Sequence, residues 1–395
     1  MSYYDRANDV FMKAYGRYDI TFDHGKGVYL YDINGKKYLD FYSGIGVNSF
    51  GHDYQPYTDA LCNQMHRLMH ISNYFNSVEA IEAAEAVVKA TKLNRVFFTN
   101  SGAEATEGAL KLARKYYYEK HHQADSEIIS LKHSFHGRTT GSVTLTGTPA
   151  YQEAFGPLLP GVKYASINDL ESVKQLITPR TAAIIFEPVQ GEGGIHVCTQ
   201  EFMSGIRQLC DDHDIVMILD EVQCGMGRTG TIMTYFQYGI MPDIVCLAKG
   251  IGAGFPMGAF VANEKVGAAL KPGDHGSTYG GNPMAGRACK TVFKIIEENN
   301  ILEHVQDVSE YLIEKLDELV EKYDVIKERR GLGLMIGLEF TNPVKPYIQK
   351  ALDKGLIFVS AGNNVIRMLP PFIIEEKHVD EMIEILSAVI EEVNG

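Results

Sequence analysis

The sequence predicts an α/β protein, with a mostly parallel sheet covered by helices and a smaller α+β region assembled from the two ends of the chain. Three observations lead there. Between about residues 90 and 250, short runs that are apolar on both faces alternate with helical stretches, the pattern of a parallel sheet buried on each side. Asn34-Gly35 between two extended pieces marks a tight hairpin near the start. After about residue 300 the pattern changes to long amphipathic helices.

In chain order, residues 1–50 read as an N-terminal arm of short extended pieces, Val28-Tyr-Leu-Tyr-Asp-Ile and Lys37-Tyr-Leu-Asp-Phe. Residues 51–300 read as the large unit. Its candidate strands are Arg95-Val-Phe-Phe-Thr, Glu127-Ile-Ile-Ser-Leu, Ala182-Ala-Ile-Ile-Phe, Ile215-Val-Met-Ile-Leu and Asp243-Ile-Val-Cys-Leu. Residues 301–395 read as the smaller unit, with helices at about 301–322 and 376–393 and strands near 333–340 and 365–369. The boundaries rest on these changes of pattern, because no repeat, low-complexity tract or linker interrupts the 395 residues.

Composition narrows the function. With 45% hydrophobic and 22% charged residues the chain lies far from the disordered regime. Its 37 Lys and Arg against 50 Asp and Glu leave a net charge of −13, a repulsive average field for nucleic acid. The main basic cluster, Lys327 to Arg330, reads as a solvated patch. No run reaches the length of a membrane span, and Met1 to Asp9 is polar and acidic where a signal peptide is basic and then apolar. A cytoplasmic protein is expected. Six scattered cysteines, with no Cys-x-x-Cys pair, fit reduced thiols and give neither a disulfide framework nor a metal site.

Functional groups of an open α/β sheet gather at the carboxyl ends of its strands. One run ends in Asp220-Glu221 and another in Ala248-Lys249-Gly250. A carboxylate and a lysine on one edge, with glycines beside the lysine, fit a pyridoxal phosphate site: the lysine links to the cofactor and the carboxylate keeps the pyridine nitrogen protonated. Four apolar residues before Asp-Glu also describe a Walker B strand, but the required Gly-x-x-x-x-Gly-Lys-Ser/Thr is absent.

A third strand end, Asn100-Ser101-Gly102-Ala103-Glu104, opens a helix running to about His121. Its free amides and hydroxyl suit a phosphate, and Ser101 with Glu104 equally describes a capping box; the two uses are compatible. The fourth, His133-Ser-Phe135-His136-Gly137-Arg138-Thr139, sets an aromatic ring that can stack on a flat cofactor beside an arginine that can clamp a carboxylate. A buried Phe and a solvated Arg are the plainer reading. Gly225-Met-Gly227-Arg-Thr-Gly230 matches a dinucleotide fingerprint in letters but neither follows a strand directly nor opens a helix, and Gly331-Leu-Gly333 reads as close backbone packing.

With these residues in view, the chain resembles the class III, fold type I, pyridoxal-phosphate-dependent aminotransferases almost end to end. The motifs are long: Asn100-Ser-Gly-Ala-Glu-Ala, Phe135-His-Gly-Arg-Thr, Glu187-Pro-Val-Gln-Gly-Glu-Gly-Gly, Asp220-Glu-Val-Gln-Cys-Gly-Met-Gly-Arg-Thr-Gly, Ala248-Lys-Gly and His275-Gly-Ser-Thr-Tyr-Gly-Gly-Asn-Pro. The resemblance implies a seven-stranded sheet and a transamination. It implies Lys249 and Asp220 as catalytic residues, with cofactor contacts from Ser101, Gly102, Ala103, Phe135, His136 and Gln223.

Ser277 and Thr278 would arrive from a second copy, making a homodimer with shared sites. Arg138 and Arg367 would hold substrate carboxylates, and Glu192 would pair with Arg367 when it is not needed. The implied substrates are N-acetylornithine, as donor of its δ-amino group, and 2-oxoglutarate, a step of arginine biosynthesis. Ornithine, succinylornithine, 4-aminobutyrate and lysine-type donors share the cofactor motifs and are the alternatives in this class. A non-catalytic binding protein on the same fold is the alternative outside it, and it is disfavoured because Lys249 and Asp220 are both present. Cys224, Tyr279 and Gly147-Thr148 depart from the family's usual residues, which bears on substrate preference more than on reaction class.

Overall fold

The computed structural model describes residues 1–395 and centres on a seven-stranded sheet. Its spatial order is Arg95–Thr99, Gly258–Ala262, Ile244–Leu247, Val216–Asp220, Thr181–Phe186, Glu127–Leu131 and Val162–Ala165. Gly258–Ala262 runs antiparallel to both its neighbours, and the other six strands share one direction. Their carboxyl ends therefore meet along one edge.

The apolar runs form strands because both faces are buried, and the period of two divides each run between two cores. Ile184 and Phe186, Met217 and Leu219, and Val245 and Leu247 enter the larger core; Ala183 and Ile185, Val216 and Ile218, and Ile244 and Cys246 enter the smaller. The helix Gly102–His121 covers the smaller core with Ala105, Ala109, Leu112 and Ala113, spaced to share one face. At Gly108 a Cβ would fall 2.2 Å from the Phe260 ring, so glycine there sets how closely helix and sheet approach.

Near the start, Tyr29–Asp32 and Lys37–Asp40 pair antiparallel around Asn34-Gly35, with Gly35 at φ 80° and the Asp32 carboxylate accepting from the amides of Asn34 and Lys36. Leu356–Ile357 joins this sheet parallel to Lys37–Asp40, so the two ends of the chain share hydrogen bonds. A second four-stranded sheet follows the order Ile326–Leu332, Met335–Phe340, Val365–Met368, Val359–Ala361. The helices Ile301–Lys322 and Glu376–Asn394 lie where their apolar spacing places them. No helix is long and apolar enough to cross a membrane, and all six cysteines are free.

The basic cluster departs from its expected solvation. Lys327 and Arg330 pair with Glu339, Arg329 pairs with Asp317, and the Arg330 side chain is only 14% exposed. An edge strand whose charges meet partners on Met335–Phe340 and Ile301–Lys322 encloses its arginine against them.

Candidate active site

Five strand ends deliver side chains to one cavity of about 450 Å³. After Arg95–Thr99 come Asn100, Ser101, Gly102 and Ala103; after Glu127–Leu131 come Phe135, His136, Gly137 and Arg138; after Thr181–Phe186 comes Glu187; Asp220 ends Val216–Asp220; and Lys249 follows Ile244–Leu247. The five strands share one direction, which puts all of these at the same edge.

At its floor Asp220, 4% exposed, meets His136 Nδ1 with Oδ2 at 2.8 Å and accepts from the Val222 amide with Oδ1 at 3.0 Å. With the carboxylate ionised, His136 Nδ1 carries the proton and its buried Nε2 stands without a partner. Lys249 adopts φ 48°, in the left-handed region, at the start of a 3-10 turn. Burial lowers its amine to about 8, with the positive charge of Arg367 adding to the effect.

The phosphate end has the shape expected of the helix Gly102–His121. The amides of Gly102 and Ala103 donate to no protein group, whereas that of Glu104 donates to Ser101 Oγ at 3.2 Å. The capping box is shifted by one residue: the Glu104 carboxylate turns back to the amide and side chain of Asn100, at 2.9 and 2.8 Å, rather than to the amide of Ser101. This leaves the cavity side of the helix start open to an anion.

Arg138 is exposed at the mouth, its guanidinium 3.7 Å from the centre of the Tyr151 ring and 5.4 Å from that of Phe135. Arg367, 1% exposed, stands behind Gln223. It donates to Gln223 Oε1 at 3.0 Å and to Glu192 Oε1 at 2.6 Å. Glu192 occupies the tip of a small hairpin made by Val189–Gln190 and His196–Val197.

Ser277 and Thr278 do not line this cavity. Ser277 Oγ accepts from the Gly280 amide at 2.9 Å, and Thr278 is exposed in a separate hollow with His70 and Asn73. Of the departures from the family pattern, Cys224 is buried with Val189, Ile195, Met335 and Leu369, and Tyr279 is exposed beside His70.

Sequence reasoning passed over Glu187 as a site residue. It lines the cavity and accepts from the amides of Phe135 and Gly191, both at 3.0 Å, so it ties the aromatic loop to the hairpin of Glu192. Burial pushes its carboxyl up to about 7, although the neighbouring His136 opposes the rise. Its place at a strand end was the available signal.

The cavity fits pyridoxal phosphate on its own terms. Two free amides at a helix start suit the phosphate, a buried carboxylate braced by His136 suits a pyridinium, and a lysine held near neutrality suits a carbonyl. Comparison with known proteins agrees. The model of the family described as aminotransferase class III matches residues 11–390, and the chain belongs to that family of pyridoxal-phosphate-dependent enzymes.

It is 47% identical to acetylornithine aminotransferase of Methanocaldococcus jannaschii, over 97% of this chain and 96% of the relative. It is 45% identical to the acetylornithine aminotransferase of Aquifex aeolicus, over 96% and 99%. Among solved structures, N-acetylornithine aminotransferase from Stenotrophomonas maltophilia superposes with a TM-score of 0.84 at 33% identity, covering 96% of this chain and 97% of that one. Ornithine aminotransferase from Toxoplasma gondii, described with pyridoxal phosphate at its active site, gives 0.95 at 29% identity, covering 99% and 95%.

Proposed function

We propose that this aminotransferase moves the δ-amino group of N-acetylornithine to 2-oxoglutarate, releasing N-acetylglutamate semialdehyde and glutamate, in the cytoplasm. The observation that carries the reading is Arg367, buried and already paired with Glu192, beside a cavity with a second arginine at its mouth. A site that takes a monocarboxylate donor and a dicarboxylate acceptor in turn needs a second cation for the acceptor and a mask over that cation for the donor. The names of the relatives support acetylornithine as the donor.

The bound cofactor supplies an electron sink for the pair left on the substrate carbon. The chain's own residues do the rest. Gly102 and Ala103 amides with the Ser101 hydroxyl would hold the phosphate, and Asp220, oriented by His136, would keep a proton on the pyridine nitrogen. Phe135 would give the ring an aromatic wall, and Gln223, which lines the same cavity, would offer its amide to the ring's edge. Lys249 would carry the cofactor between turnovers, and its Nζ, lowered to about 8 by burial and so readily deprotonated, would take the proton from the δ-carbon of the substrate. Arg138 clamps the carboxylate common to both substrates.

A second copy of the chain supplies Ser277 and Thr278. The support is the exposure of Thr278, together with the nearby exposed apolar side chains Met69, Tyr74, Phe75 and Tyr279, a patch of the kind that marks an interface. The test is bleaching of the visible absorption of the holoenzyme by each amine, without a keto acid. N-acetylornithine should bleach it fastest. Faster bleaching by ornithine, succinylornithine, 4-aminobutyrate or lysine would reassign the donor, and no bleaching by any of them would refute transamination of this class.

A further inference from the structure

The hairpin that carries Glu192 rests on one transverse row of the second four-stranded sheet. In the register of that sheet Arg330 lies opposite Gly337, and Gly337 lies opposite Arg367. Residues opposite one another in an antiparallel pair project to the same face, so the row presents an arginine, a gap and an arginine. The hairpin tip meets all three. Glu192 bonds Arg367; Ile195, fully buried at φ 59°, sits in the gap, where a Cβ on Gly337 would come 3.0 Å from its Cβ; and Arg330 Nε donates to the Gly194 carbonyl at 2.6 Å. Arg330 is itself oriented by the carboxylates of Glu328 and Glu339.

Ile195 is β-branched and held in the left-handed region, a conformation that persists only where surrounding contacts impose it. Those contacts are the row. We propose that Arg330 and Gly337 are positioning residues that seat the Gly191–Ile195 tip, and so set how often Glu192 covers Arg367. The inference rests on the reading that Glu192 masks Arg367 for the monocarboxylate substrate and leaves it for the dicarboxylate. Weakening the seat then releases Arg367 without changing the side chain of Arg138, Glu192 or Arg367 itself. Preference moves towards dicarboxylates, through a change in the balance of two conformations.

The test uses the holoenzyme and two readouts. The first is the ratio of single-turnover bleaching efficiencies for glutamate over N-acetylornithine. The second, independent of turnover, is calorimetric binding of glutarate against the monocarboxylate valerate. Arg330→Met removes the bond to Gly194 and Gly337→Ala crowds Ile195; each should raise the ratio about five- to tenfold and tighten glutarate binding to a similar degree, with valerate unmoved. Arg330→Lys keeps a donor and should return both readouts towards the parent. Arg330→Met stands on an edge strand and keeps the test open should Gly337→Ala fail to fold.

Glu192→Gln separates this inference from the reading beneath it. If Glu192→Gln shifts the ratio while the Arg330 and Gly337 variants lose stability with the ratio unmoved, the row is scaffold only and the inference falls alone. If Glu192→Gln leaves the ratio where it was, masking is wrong and the inference falls with it.

Discussion

Two buried ionic contacts flank the cavity and differ in what carries them. Asp220 ends a strand with parallel neighbours on both sides, and His136, in the loop after another strand of the same sheet, has its amide held by Thr146 Oγ1 at 2.9 Å; both are almost wholly buried. Arg367 also lies within a strand, but its partner Glu192 sits on a hairpin tip and is 26% exposed. Moving the first contact would disturb the buried edge of the sheet, whereas the second needs only the tip to lift. On the proposed roles, cofactor chemistry is mounted at strand ends and substrate selection on a loop against a strand, a division that follows from the cost of moving each backbone.

The largest effect should come from the fixed contact. Asp220→Ala removes the buried carboxylate that would face the cofactor, and both half-reactions should slow alike, by roughly a thousandfold or about 4 kcal/mol. Single-turnover absorbance with N-acetylornithine and, separately, with glutamate measures it. A loss confined to one half would mean that Asp220 belongs to substrate selection and would erase the contrast between the regions.

Arg367→Ala should do the reverse. The 2-oxoglutarate half should weaken by about 2–5 kcal/mol, since a substrate carboxylate would enter without its partner, and the N-acetylornithine half should change far less. Equal losses in both halves, with Arg138→Ala no worse, would show that Arg367 is a structural ion and Glu192 no mask.

Much of the fixed region is legible in the sequence, and less of the movable one. The apolar runs ending in Asp220 and before Lys249 identify themselves because strands buried on both faces need such runs. Val162–Ala165 and Gly258–Ala262 do not: the first is an edge strand with Lys163 and Tyr164 facing partly outward, and the second is rich in Gly and Ala, which carry little strand preference of their own. Arg367 and Glu192 are 175 residues apart, and only the resemblance to a family joins them in the sequence. The row of Arg330, Gly337 and Arg367 depends on strand register, which no local pattern encodes.

A third measurement probes the fixed region without chemistry. Lys249 has a folded-state value of about 8 because burial penalises its charge, against 10.5 in the unfolded chain. Between these values the unfolded chain binds more protons, so stability rises with pH there, and below about 8 the full cost is present. In cofactor-free protein Lys249→Met should therefore be more stable than the parent by about 2–3 kcal/mol at pH 7, with the advantage fading as pH approaches 10. Urea denaturation at the two pH values reads it, and an advantage independent of pH would place the amine in water.

The smallest effect divides two roles of one residue. Ser101 caps the helix Gly102–His121 through the Glu104 amide and also lines the cavity beside the two unpartnered amides. Ser101→Ala loses the cap and should cost about 1 kcal/mol in cofactor-free protein, whereas Ser101→Gly, a tolerated cap residue, should cost only a few tenths. Both remove the hydroxyl, so if it holds phosphate the two variants should weaken cofactor affinity equally despite their different stabilities. Equilibrium dialysis of pyridoxal phosphate against each protein, paired with its denaturation curve, separates the outcomes. If affinity followed stability instead, Ser101 would be a cap alone and the phosphate would rest on backbone amides, making the fixed region still less dependent on side chains than the tip that carries Glu192.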